Sequence, residues 1–200
     1  MLRVPRRNLH VLASSKGFIA GDLCYTEEDG TKVNCDSGSM AVLVSSNVCG
    51  IKNFVSTAKF VLIVEKDATF QRLLDDEFCT KLAPCIMITV NMLKDAFPSM
   101  SFDAHNLTVP AVMWLGLLPS DIERLNVPKD ALIPFTKRDH SKLQSLQKRP
   151  YFNSQPLWKK EIELMLKWQQ KAEIQCLTSI APDYLTRVYL PNKLRYGGWI

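Results

Sequence analysis

The sequence predicts an α/β fold: a short, incomplete parallel sheet with flanking strands, followed by a helical, basic C-terminal part. Three observations carry this. Two continuous apolar runs, Phe60–Val64 and Cys85–Thr89, bracket a stretch with helical periodicity. The strand–helix alternation then stops. From Lys137 to the end the spacing is helical, and 12 basic residues stand against 5 acidic ones.

The elements follow in chain order. Leu9–Ala13 and Gly17–Gly21 are short apolar runs bounded by turn residues. Asp29-Gly30 lies between Cys24–Thr26 and Lys32–Asn34, which reads as a β-hairpin. Met40–Val44 is another expected strand. Phe60–Val64 reads as a strand buried on both faces. Asp67 is placed to cap the helix after it, in which Phe70, Leu73, Leu74 and Phe78 share one face. Cys85–Thr89 follows Pro84 as a second buried strand. Strand, helix, strand with short connections make a βαβ unit. Ligands of such sheets bind beyond the carboxyl ends of the strands, where Glu65 stands. Hydrogen-exchange protection is expected to be highest over 60–78 and weaker over 85–89.

Beyond the polar stretch after Thr89, Ala111–Leu115 reads as a strand and Ser120–Glu123 as a capping box opening a short helix. Thr136 is placed to cap a helix that ends before Pro150. Pro156 opens a longer one, with Trp158, Ile162, Met165, Ala172 and Cys176 on one stripe. Glu161 and Glu163, two residues apart, point to different faces and read as solvated rather than metal-binding. Arg187–Lys193 reads as a strand stopped by Pro191.

With 200 residues, 46% hydrophobic and 22% charged, the chain has ordinary globular composition, which excludes wholesale disorder. None of the six cysteines forms a C-x-x-C pair, and the three histidines are scattered, so a zinc site has little support. Reduced thiols in a cytosolic or nuclear protein are expected. No apolar run is long enough for a membrane span, and no secretory h-region follows the basic start. Neither G-x-G-x-x-G nor G-x-x-x-x-G-K-[ST] occurs. The net charge of +5 is confined to residues 101–200, since residues 1–100 are balanced. Such asymmetry favours a polyanionic partner, DNA first, with Lys142, Lys148, Arg149, Lys159 and Lys160 as the expected contacts.

Val61–Phe70, with Glu65 after its apolar run, resembles the first strand and acidic residue of a Toprim domain. Ala13–Gly21, Leu115–Ile122 and Tyr189–Trp199 narrow the likeness. Together they resemble the topoisomerase VI A-subunit (type IIB) family, in the animal branch that makes meiotic double-strand breaks. The resemblance implies a Toprim-like sheet, residence in the nucleus, and a tyrosine that attacks a DNA phosphodiester. It also implies Mg²⁺ held by a glutamate and an Asp-x-Asp pair, with DNA, a second copy of the chain and a topoisomerase VI B-like subunit as partners. On that basis residues 1–55 are a strand-rich lead-in, 56–100 a partial Toprim βαβ, and 101–200 the C-terminal part of the A-like domain. Glu65 is the one metal ligand that carries over. Asp-x-Asp occurs nowhere, and none of the five tyrosines follows Arg-Asp, because Arg138-Asp139 leads into His140 and Ser141. A βα repeat after Thr89 is therefore expected to be missing, and the chain alone is expected not to cleave DNA.

Overall fold

A computed structural model describes residues 17–36, 38, 40–44, 50–89, 113–148 and 156–199. The chain divides into two compact units, 1–101 and 102–200.

The first unit is built on the expected βαβ. Strand β6 (Phe60–Val64) pairs in parallel with β7 (Cys85–Thr89), Leu62 opposite Met87. Between them run α1 (Asp67–Asp75) and a short α2 (Phe78–Lys81). Phe70, Leu73, Leu74 and Phe78 are all buried, as the periodicity requires. Two local details differ. Lys66, not Asp67, is the extended residue before the helix, so Asp67 sits in the first turn, where its charge suits the helix dipole. The helix also breaks at Glu77, which takes a left-handed φ of 57° and turns Phe78 back inward.

Five further strands complete this unit: β1 (Phe18–Gly21), β2 (Cys24–Thr26), β3 (Lys32–Asn34), β4 (Val42–Leu43) and β5 (Lys52–Val55). The hairpin β2–β3 forms as read. The strand expected over Met40–Val44 is reduced to β4, and β5, unmarked in the sequence, pairs with β2. Leu9–Ala13 lies outside the described residues.

The main sheet has the order β4-β1-β7-β6, and β1 runs antiparallel to β7. This corrects the picture of Phe60–Val64 as a strand buried on both faces. β7 is the interior strand, with Met87 0% exposed, while β6 is the edge among the described strands and its Val61 is 51% exposed. The physical reason is β1. Gly21 lets it approach so closely that a Cβ there would meet the Cys85 carbonyl at 2.2 Å. Its φ of 105° is also one that L side chains rarely adopt. Hydrogen-exchange protection should thus peak in 85–89, not 60–78.

The second unit is mostly helical: α3 (Pro119–Arg124), α4 (Lys137–Gln147), α5 (Pro156–Trp168) and α6 (Leu190–Tyr196), with a two-residue ladder of β8 (Ile133–Pro134) and β9 (Gln170–Lys171). α4 is capped as read. The Thr136 hydroxyl accepts from the Asp139 N–H, and the Asp139 carboxylate accepts from the Thr136 N–H at 2.9 Å. α3 opens two residues earlier than the Ser120 box implies, at Pro119 with Leu118 as the cap position. Met113–Leu115 is not strand. α5 stops at Trp168, because Gln169 turns left-handed at φ 55°, so Ala172 and Cys176 leave its stripe.

Arg187–Lys193 is helical rather than a strand. A π turn over Leu185–Tyr189 leads directly into α6. Pro191 stops nothing there, because it stands in the first turn of α6, where its missing N–H costs little.

Candidate functional site

Glu65 stands where the resemblance puts it, exposed at the carboxyl end of β6. Its surroundings do not complete a metal site. Asp76 is engaged by Arg72 at 3.0 Å, Asp75 by Gln71 at 2.8 Å, and Glu77 faces Lys81 at 3.7 Å, all at the far end of α1. Among the described residues no group of three His, Cys, Asp or Glu side chains could hold an ion. Mg²⁺ needs near-octahedral oxygen ligands, and a lone surface carboxylate does not fix them. The described donor set does not fit Mg²⁺.

The basic residues are placed by a helix pair. Leu143 of α4 and Ile162 of α5 form a small buried core with Phe135, Leu146, Trp158, Met165 and Leu166 around it. The pair is antiparallel, because the start of α4 meets the end of α5. The Phe135 N–H donates to the Gln169 carbonyl at 3.0 Å, and His140 is hydrogen-bonded to the Gln169 side chain. Lys171 reaches both Asp139 oxygens at 2.8 Å. That contact, with the Thr136 cap, holds the Asp139 carboxyl well below the usual carboxylate range. At the opposite end of the pair, Lys148 follows the last residue of α4 and Lys159 and Lys160 lie in the first turns of α5, with Lys142 in the middle of α4. All four are exposed, with no ion pair to another described residue. Arg149 lies outside the described residues.

Three cations in the basic count are not free, one of them Arg187, which pairs with Asp183 at 2.8 Å. Lys171 is held by Asp139, and Lys193 is only 4% exposed. Lys193 donates to Asp121 at 2.8 Å and to the Gly198 carbonyl at 2.8 Å, and lies over the Tyr189 ring. Asp121, 2% exposed, is the centre of this network. It accepts from the Tyr189 hydroxyl at 2.7 Å, the Leu118 N–H at 3.1 Å and Arg124 at 2.6 Å. Burial alone would raise its carboxyl. The hydrogen bonds from Lys193, Tyr189 and Leu118 outweigh that and hold it below the ordinary value. Burial and the neighbouring Asp121 push the Tyr189 hydroxyl up, so it stays a neutral donor.

Pattern reading missed this network. The signal was the pair of stretches Leu115–Ile122 and Tyr189–Trp199, which carry the family resemblance and meet at Asp121. Glu161 also proves more than solvated. It accepts from the Ser120 N–H at 2.9 Å and hydroxyl at 2.8 Å, tying α5 to the first turn of α3. Glu163 is exposed.

A family model for the Toprim domain of the topoisomerase 6 A-subunit and Spo11 proteins matches residues 60–96 and 91–194. The chain is 58% identical to "Meiotic recombination protein SPO11" of Homo sapiens and 54% identical to that of Mus musculus, in both cases over 100% of the chain and 60% of the relative. It is 35% identical to the A3 subunit of DNA topoisomerase 6 from Oryza sativa subsp. indica, over 100% of the chain and 53% of the relative. The chain thus spans about 60% of the length of the mammalian relatives it matches. The human alignment covers 237 positions against 200 residues here, so that relative carries at least 37 residues with no counterpart in this chain.

Proposed function

Because the chain belongs to the family of topoisomerase 6 A-subunits and Spo11 proteins, we propose that it is a nuclear, DNA-binding protein of meiotic recombination that does not itself cut DNA. It grips the phosphate backbone through the lysine end of α4 and α5. The observation that carries this reading is the set Lys142, Lys148, Lys159 and Lys160, exposed and without a described counter-charge, with Arg149 next in sequence. Each ammonium that meets a phosphate releases a condensed counterion, so the attraction is entropic, sequence-independent and steep in salt. Lys171 and Lys193 stay outside this interface, because each already answers a carboxylate.

Two facts support the lack of cleavage. Asp-x-Asp is absent from all 200 residues, and no tyrosine follows Arg-Asp. In a phosphodiester transesterification Mg²⁺ would neutralise the scissile phosphate and the leaving oxygen. Glu65 alone does not supply its ligands. The family match, broken into two pieces that meet at 91–96, supports a missing βα repeat after Thr89. A topoisomerase VI B-like subunit and a second copy of the chain belong to this reading as partners.

Fluorescence anisotropy with a labelled duplex tests it. Binding should weaken with salt, with a log–log slope of about −4 to −5 if five phosphates are met. Changing Lys142, Lys148, Arg149, Lys159 and Lys160 together to glutamate should abolish binding. Unchanged affinity in that variant, or affinity indifferent to salt, would sink the interface. Recovery of a 5′-phosphotyrosyl peptide from the purified chain would overturn the non-cleaving assignment.

A further inference from the structure

We infer that Cys79 and Cys85 form a modification site: a dithiol that hydrogen peroxide oxidises, in two steps, to a disulfide between α2 and β7. Both residues hold free thiols, Cys85 buried and Cys79 half-buried. They meet because α2 leads into β7 through residues 82–84 alone. The Cys85 thiol donates to the Cys79 carbonyl, with the sulfur 4.0 Å from that oxygen. The two thiols are also hydrogen-bonded to each other. Gly21 of β1 leaves the room they need. A Cβ there would stand 3.2 Å from Cys79 Sγ and 2.2 Å from the Cys85 carbonyl oxygen, so a larger residue at 21 would displace the pair. Cysteines that serve only as packing face apolar carbon, whereas these two face each other.

The contact changes the chemistry of both sulfurs. The hydrogen bond from Cys79 holds the Cys85 thiol below its ordinary value, while that same bond and burial push the Cys79 thiol up. The pair therefore releases one proton more readily than two, and the remaining proton is shared between the sulfurs. When it moves to Cys85, the thiolate is on Cys79, the less buried residue, where a molecule as small as peroxide can meet it. The Cys79 thiolate attacks one peroxide oxygen. An S–O bond forms, the O–O bond breaks, and the departing hydroxide takes up the proton that the pair had released, leaving as water. Cys79 is then a sulfenic acid. Cys85 attacks the Cys79 sulfur in turn. The S–S bond forms, the S–O bond breaks, and the second hydroxide leaves with the Cys85 proton as a second water. The two thiols have lost two electrons and the peroxide has gained them. The disulfide staples α2, just past the left-handed turn at Glu77, to the first residue of β7.

Peptide mapping of the full chain reads the outcome. Lys81 lies between the two cysteines, so trypsin separates them and leaves the disulfide as two joined peptides, 73–81 and 82–94. The chain is treated with hydrogen peroxide at about tenfold excess, its remaining thiols are alkylated, and the monomer band of a non-reducing gel is digested. The joined peptide should hold most of both cysteines and vanish with dithiothreitol. Cys85→Ala should stop the reaction at the sulfenic acid, trapped as a dimedone adduct on Cys79. That adduct should exceed the one on Cys85 in Cys79→Ala by roughly tenfold or more, because the buried sulfur does not meet peroxide directly. Mapping of the unaltered chain needs neither variant to fold. Three results would overturn the inference: no joined peptide, Cys79 and Cys85 joined to other cysteines as often as to each other, or equal adducts in two variants that keep the far-ultraviolet dichroism of the original.

Discussion

The two units of this chain are held together by different means. In the first, the interior strand β7 is flanked by β1 and β6 and lies against α1 and α2, and the buried side chains are almost all apolar. In the second, the apolar core of the helix pair is small, and a buried ion pair joins α3 to α6. The contrast teaches where each unit is vulnerable. A ladder with a redundant apolar core tolerates an open edge, because the loss stays at that edge. A unit pinned on one carboxylate does not tolerate loss of the pin, because each remaining partner becomes a buried, unsatisfied group.

The largest test of that contrast is at Asp121. Asp121→Asn should destabilise the second unit by roughly 3–5 kcal/mol, because it leaves the Lys193 ammonium buried without its counter-ion. Replacing both, D121L/K193M, should cost clearly less than the single change. Urea unfolding monitored by tryptophan fluorescence suits the measurement, since all four tryptophans lie in residues 102–200. Equal losses in single and double variants would mean that the network is not the pin.

The interior strand comes next. Met87→Ala should cost roughly 2–5 kcal/mol through the cavity it leaves, whereas Val61→Thr at the edge should stay within about 0.5 kcal/mol. Hydrogen exchange should rank β7 above β6. The reverse ranking would restore Phe60–Val64 as the centre of the sheet.

Acid sharpens the comparison without a mutation. The Asp121 carboxyl is depressed in the folded chain relative to its ordinary value of 3.8. Its contribution is therefore fully present above the unfolded value and lost as pH falls through the lower, folded one. Below about pH 4 tryptophan fluorescence should report loosening of the second unit, and D121N should reduce that pH dependence to the part carried by Asp139. A small effect is also expected at Tyr25, whose buried hydroxyl has no hydrogen-bond partner among the described residues. Tyr25→Phe should be neutral or stabilising by up to about 1 kcal/mol, because it removes an unsatisfied group and little packing. A clear loss would reveal a partner for that hydroxyl.

Legibility in the sequence followed the range of the interactions. The βαβ, the β2–β3 hairpin, the Thr136 cap and the start of α5 were readable, because apolar period, turn chemistry and capping are local. The strands β4 and β5 were blurred or missed, since two to four residues with exposed side chains leave no periodic trace. Arg187–Lys193 was misread because β-branched and aromatic residues before a proline look like a strand end. The local pattern cannot show that the same proline fits the first turn of a helix. The lysines at the end of the helix pair were named from sequence, but the pairing of Lys171, Arg187 and Lys193 with carboxylates, which takes them out of the basic count, was not.

What the sequence determined by itself is therefore the family, the α/β class, the position of Glu65 after its strand, the absence of Asp-x-Asp, and the basic character of the second half. Each of these is a property of residue order and composition. The tertiary structure alone decided that β7 rather than β6 is the interior strand of the described sheet, that no described group of three metal-ligating side chains forms around Glu65, and that Asp121 gathers Lys193, Tyr189 and Arg124. Those outcomes depend on contacts between residues far apart in the chain, from Ile19 with Ile88 to Asp121 with Lys193. Burial, strand order and charge pairing are set by such contacts, and no window of neighbouring residues contains them.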